Sequence, residues 1–126
     1  MSKTILIVED DPDLLKVTAL RFQKVGYEVQ LASDGRTAFE FLEKGKTDLV
    51  LMDFQLPDLT GEEICKKIRQ HEMFKHIPVV VISAVADIGK LTELVKTAGA
   101  QGCLAKPGNF QDLLDCIGQL LKRVQT

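Results

Sequence analysis

Three short, uninterrupted apolar runs most constrain what this chain can fold into. They are residues 4–8 (TILIV), 49–52 (LVLM) and 77–82 (IPVVVI). Uninterrupted apolar strands are typical of a parallel sheet that is covered on both faces, whereas a half-exposed strand alternates apolar and polar residues. Residues 27–32 (YEVQLA) alternate in this way, and residues 102–105 (GCLA) form a short fifth run. These last two segments are therefore predicted to be edge strands.

Helical patterns lie between these five strands, and each begins at a residue suited to the N-cap position. The predicted N-caps are Asp11, Asp34, Thr60, Asp87 and Asn109. Strict alternation of strands and helices predicts parallel strands with helices on both faces of the sheet. We therefore expect an α/β fold, a flavodoxin-like (βα)5 three-layer sandwich with a five-stranded parallel sheet. The strand order 2-1-3-4-5 fits because it places the three apolar strands in the middle.

Composition narrows the classes of protein that remain. The 126 residues, of which 45% are hydrophobic, suit a single domain over residues 1–126 with an ordinary core. A net charge of −2 without a basic patch argues against nucleic-acid binding, and no apolar run approaches the ~20 residues of a membrane span. The cysteines are odd in number and far apart, at Cys65, Cys103 and Cys116. With no signal-peptide pattern at the N-terminus, this predicts a reducing, cytoplasmic location.

Polar residues stand at the carboxyl end of four predicted strands. Glu9 and Asp10 follow the first strand, Asp53 the third, Ser83 the fourth and Lys106 the fifth. In a sheet of this order, ligands bind at the carboxyl edge where the strand order reverses, here between the first and third strands. The sequence therefore predicts a polar site at this edge.

The chemistry of these side chains indicates a metal-assisted phosphoryl transfer. Three carboxylates in one crevice repel each other, and a hard divalent cation such as Mg²⁺ relieves that repulsion. A hydroxyl group and an ammonium group facing the metal suit the remaining oxygens of a phosphoryl group. The set favours an aspartate that attacks phosphorus and becomes an acyl phosphate.

Four segments carry a resemblance to a known family: residues 5–11 (ILIVEDD), 49–61 (LVLMDFQLPDLTG), 79–84 (VVVISA) and 105–107 (AKP). In this order and at these strand ends, the chain resembles a receiver domain of two-component response regulators over essentially its whole length. The resemblance implies a phosphorylation-dependent signalling domain that catalyses only its own phosphoryl transfer and autodephosphorylation. It implies a sensor histidine kinase or phosphotransfer protein as donor and an unknown downstream effector as partner.

The resemblance also assigns a role to each site residue. Asp53 is similar to the phospho-acceptor, and Ser83 and Lys106 are similar to the residues that contact the phosphoryl group. The implied Mg²⁺ ligands are Glu9, Asp10, Asp53 and the backbone carbonyl of Gln55. One departure concerns Cys103, which stands where the family usually has an aromatic residue that turns inward on activation. Another is Gly108-Asn109 after Lys106-Pro107, where the family more usually has phenylalanine.

Three other functions fit the sequence less well than a receiver domain does. A phosphatase of the haloacid-dehalogenase type needs a second acid two residues after its nucleophile, where this chain has Gln55. A flavin- or nucleotide-binding relative of flavodoxin needs a phosphate-binding loop after the first strand, where an acidic Glu-Asp-Asp run would repel phosphate. A receiver that only binds partners would normally have lost Asp53 or Lys106. The isolated histidines, His71 and His76, are predicted to be exposed loop residues.

Overall fold

The computed structural model describes residues 2–53, 58, 60–83, 96, 102–105 and 110–124. Its strands are β1 (Thr4–Val8), β2 (Glu28–Ala32), β3 (Leu49–Asp53), β4 (Val79–Ser83) and β5 (Gly102–Ala105). The four neighbouring pairs are all parallel, and the strand order is β2-β1-β3-β4-β5. The predicted flavodoxin-like order is confirmed, with the three apolar strands in the middle.

The described helices are α1 (Pro12–Lys24), α2 (Gly35–Glu43), α3 (Gly61–Gln70) and α4 (Phe110–Val124). Three predicted N-caps are confirmed by their hydrogen bonds. Asp11 accepts from the backbone N–H groups of the first turn of α1, Asp34 from that of Thr37, and Thr60 from that of Glu63. The helix predicted to begin at Asp87 and the cap predicted at Asn109 lie outside the described residues.

Alternate residues of the central strands point to opposite faces of the sheet, and helices cover each face. One core cluster joins Leu6, Val8, Val50, Met52, Val79 and Val81 to Ala38 and Leu42 of α2 and to Ile64, Cys65 and Ile68 of α3. The other joins Ile5, Ile7, Leu49, Leu51 and Val80 to Ala19 and Phe22 of α1 and to Leu113, Ile117, Leu120 and Leu121 of α4. The predicted three-layer sandwich is therefore confirmed. Among the described residues, no helix combines the length and apolar character needed to cross a bilayer.

One detail of the sheet differs from the sequence-based expectation. The apolar run predicts that the fourth strand begins at residue 77, but β4 begins at Val79. Pro78 has no N–H group to donate, and it joins the sheet only through its carbonyl, which accepts from the Val50 N–H at 2.9 Å. The alternating strand, β2, lies at the edge of the sheet as predicted, and its Leu31 is 40% exposed.

Cysteine and histidine side chains commonly bind metals, but the surroundings of Cys65 and His71 indicate a structural role. Cys65 is buried, and burial raises the pKa of its thiol to about 12 despite the nearby charge of Arg69. A thiol with so high a pKa stays protonated and unreactive at neutral pH. Cys116 is only half-buried. His71 is exposed as predicted, and its Nδ1 accepts from the Met73 N–H at 3.1 Å.

Candidate functional site

Three acidic side chains meet at the carboxyl edge of the sheet. Asp53 is the last residue of β3, and Glu9 and Asp10 directly follow β1. The two strands are neighbours, with Val8 paired to Met52, so the residues that follow this pair lie side by side. One carboxylate oxygen from each of Glu9, Asp10 and Asp53 lies within 4.8 Å of the other two. The acidic cluster expected from the strand ends is therefore present.

The three carboxylates differ in their access to solvent. Glu9 is only 5% exposed, Asp53 is half-buried and Asp10 is exposed. The backbone of Glu9 is held by a hydrogen bond from its N–H to the carbonyl of Ala32, at 3.0 Å. Its Oε1 also accepts from the Asp11 N–H at 3.3 Å. The cluster thus has a fixed, buried side at Glu9 and an open side at Asp10.

This donor set fits a small, hard cation. Two like charges 4 Å apart repel by about 1 kcal/mol even in bulk water, and by more where solvent is excluded. Carboxylate oxygens are the protein ligands that Mg²⁺ prefers, and the exposed side leaves room for the waters that it retains. Within the described ranges, Glu9, Asp10 and Asp53 form the only group of three or more potential ligands with this spacing.

The backbone places the end of β4 beside that of β3, and the end of β5 beside that of β4. Asp53 pairs with Ile82, and Ser83 follows as the last residue of β4. Ser83 in turn pairs with Ala105, the residue before Lys106. The side chains of Ser83 and Cys103, and all of Gln55 and Lys106, lie outside what the structure describes. Their assigned roles stay predictions.

The sequence patterns do not single out Asp58, which lies five positions after Asp53. Its Oδ1 accepts from the Gly35 N–H at 2.9 Å, and its Oδ2 accepts from the Arg36 N–H at 3.1 Å. The side chain of Asp58 therefore contacts the first turn of α2. No local pattern could have indicated this contact, because its partners lie 23 and 22 positions away in the sequence.

Comparison with known proteins identifies the family. Residues 5–118 match the response regulator receiver domain, and the chain belongs to this family. The polar-differentiation response regulator DivK of Brucella ovis is 31% identical over 121 residues, covering 96% of this chain and 98% of DivK. The chain is therefore a signalling receiver domain of two-component systems and not a classical enzyme.

Two further relatives show the range of proteins that contain such a domain. The DNA-binding dual master transcriptional regulator RpaA of Synechocystis is 30% identical over 121 residues, which cover 94% of this chain and 49% of RpaA. The chain thus spans about half the length of that relative. A solved receiver domain of a sensor histidine kinase from Pseudomonas aeruginosa is 31% identical, with a TM-score of 0.86. The match covers 97% of this chain and 99% of that one, which has a magnesium ion coordinated in its active-site cleft.

Proposed function

We propose that Asp53 is the phospho-acceptor of this receiver domain and that Mg²⁺ is required for its phosphorylation. The observation that supports this most directly is the convergence of the Glu9, Asp10 and Asp53 carboxylates within 4.8 Å at the carboxyl edge of the sheet. Such an arrangement is unfavourable without a cation and offers the oxygen ligands that Mg²⁺ needs. The magnesium-containing relative from Pseudomonas aeruginosa adds support by analogy.

In this proposal Glu9, Asp10 and Asp53 hold the cation, together with the backbone carbonyl of Gln55. When bound, Mg²⁺ neutralises part of the charge that builds up between the attacking carboxylate and the phosphoryl oxygens. A carboxylate oxygen of Asp53 attacks phosphorus while the phosphorus–nitrogen bond of a phosphohistidine donor breaks and the imidazole nitrogen leaves. Ser83 and Lys106 contact the phosphoryl oxygens. Hydrolysis later breaks the new phosphorus–oxygen bond and releases inorganic phosphate.

The proposed donor is a sensor histidine kinase or a phosphotransfer protein, and the proposed location is the cytoplasm. The domain itself would supply the groups for both transfer and autodephosphorylation, since the acceptor and its ligands belong to one chain. The downstream effector is one that distinguishes the phosphorylated from the unphosphorylated form. We expect no direct contact of this domain with nucleic acid or with a membrane.

The test is intact-mass measurement after incubation with acetyl phosphate. The parent protein is expected to gain one phosphoryl group with Mg²⁺ and none with a chelator, and Asp53→Asn is expected to gain none. Asp48→Asn is the matched control, because it removes the same charge at the other end of β3 and should be phosphorylated like the parent. Equal phosphorylation of Asp53→Asn, or of the parent in chelator, would refute the assignment.

A further inference from the structure

We propose that Asp58 is a positioning residue that raises the affinity of the acidic cluster for a divalent cation. Asp58 lies five positions after Asp53, and its carboxylate accepts hydrogen bonds from the start of α2. The inference rests on the proposed function, because it concerns the same cation site. Asp58 would act without touching the cation or the phosphoryl group.

The contacts of Asp58 use both of its carboxylate oxygens. Each oxygen accepts one N–H group, from Gly35 at 2.9 Å and from Arg36 at 3.1 Å. The first N–H groups of a helix have no partner within the helix and must find one elsewhere. Asp34 caps the same turn but takes a different group, the Thr37 N–H at 2.8 Å. Two acids therefore accept N–H groups from the first turn of α2. Asp34 is local in sequence, and Asp58 is distant.

The same short segment also holds the buried ligand of the cluster. The carbonyl of Ala32, the last residue of β2, accepts the backbone N–H of Glu9 at 3.0 Å. Three residues further along the chain, Gly35 donates to Asp58. Residues 32–36 thus contact the backbone of Glu9 at one end and the side chain of Asp58 at the other. One short segment therefore contacts both a ligand of the cluster and a residue five positions after Asp53.

This arrangement bears on metal affinity because ligands that are already in place need not be ordered when the cation binds. Without these two hydrogen bonds Asp58 is no longer held to α2, and cation binding must offset the entropy lost when it is ordered. Groups that orient metal ligands without touching the metal commonly change affinity by about 10- to 100-fold when they are removed. For Asp58, which acts through the backbone, we expect the lower end of that range.

The experiment compares Mg²⁺ affinities by isothermal titration calorimetry. Asp58→Ala is expected to weaken Mg²⁺ binding about 10-fold and to slow phosphorylation by acetyl phosphate at subsaturating Mg²⁺. Saturating Mg²⁺ should restore the rate, because Asp53 itself is unchanged. Asp58→Asn keeps one acceptor oxygen and should lie between Asp58→Ala and the parent.

Asp34→Ala is the matched control. It removes one negative charge and one cap from the same helix turn, but it leaves the contacts of Asp58 in place. We expect its Mg²⁺ affinity to stay close to the parental value even though α2 is less stable. An equal loss of affinity in Asp34→Ala would overturn the inference, because charge or helix stability would then explain the effect.

A parental affinity in Asp58→Ala, with Asp53 still phosphorylated, would also overturn the inference and leave the proposed function intact. If Asp58→Ala fails to fold, Asp58→Asn carries the same comparison against Asp34→Asn. A parent protein that neither binds Mg²⁺ nor gains a phosphoryl group would instead refute the proposed function, and the inference with it.

Discussion

Asp48 and Asp53 flank the same strand, and the structure uses them in opposite ways. Asp48 comes just before β3, where its Oδ2 accepts the Thr4 N–H at 2.8 Å. Its own N–H donates to the Thr4 carbonyl at 2.9 Å, so a pair of hydrogen bonds joins the starts of β1 and β3. Asp53 ends β3 and lies within 4.8 Å of two further carboxylates.

The contrast extends to the neighbours of each acid. At the amino end of the sheet, the buried Thr47 donates from its hydroxyl to Oε1 of Gln30 at 2.6 Å. In the part of the chain that the structure describes, no buried side-chain nitrogen or oxygen lacks a hydrogen-bond partner. An acid with a donor beside it stabilises the fold, whereas acids grouped together destabilise it until a cation binds. The surroundings of an aspartate, and not its residue type, therefore distinguish a structural role from a functional one.

The largest expected effect is stabilisation of the parent protein by Mg²⁺. A cation that binds only the folded acidic cluster should add about 2.7 kcal/mol at a concentration of 100 Kd, by mass action. For a domain of this size, that corresponds to a rise in Tm of roughly 5–10 °C. Circular dichroism is a suitable probe because the chain has no Trp. Asp48→Asn should respond to Mg²⁺ like the parent, and a Tm independent of millimolar Mg²⁺ would contradict the metal assignment.

A smaller effect on stability is expected from Asp48, at the start of β3. Asp48→Ala should lower the free energy of unfolding by about 1–2 kcal/mol, because it leaves the half-buried Thr4 N–H without its acceptor. Urea denaturation measures the change. Asp48→Asn keeps an acceptor oxygen and should lose less. If Asp48→Ala remained folded but could no longer be phosphorylated, the purely structural role assigned to Asp48 would be wrong.

The smallest expected effect on stability is a gain, opposite in sign to the effect of Asp48→Ala. In chelator, Asp53→Asn is expected to raise the free energy of unfolding by about 1 kcal/mol, because it removes one of three mutually repelling charges. The same variant should lose most of the stabilisation by Mg²⁺. Urea denaturation with and without Mg²⁺ measures both quantities. A metal-free Asp53→Asn that is less stable than the parent would show that the carboxylate of Asp53 serves the fold.

Local sequence patterns are sufficient to predict the fold class and the end of the sheet at which the acidic cluster lies. Uninterrupted apolar runs indicated the central strands, and local caps such as Asp11 and Thr60 indicated where helices begin. These signals can be read because strand alternation and helix capping involve residues only a few positions apart. The convergence of Glu9 and Asp53 could also be predicted, since parallel strands carry their carboxyl ends to one edge.

The contacts that Asp48 and Asp58 make with distant groups follow from the tertiary structure alone. Nothing local distinguishes Asp48 from Asp58, yet one accepts from Thr4 and the other from the first turn of α2. The burial of Leu120 is a further example, because Leu120 packs in the core cluster that joins α4 to the central strands. Contacts between residues 22 to 44 positions apart depend on which strands pair and on how the helices pack across the sheet. That packing is a property of the whole core, so no single stretch of sequence encodes it.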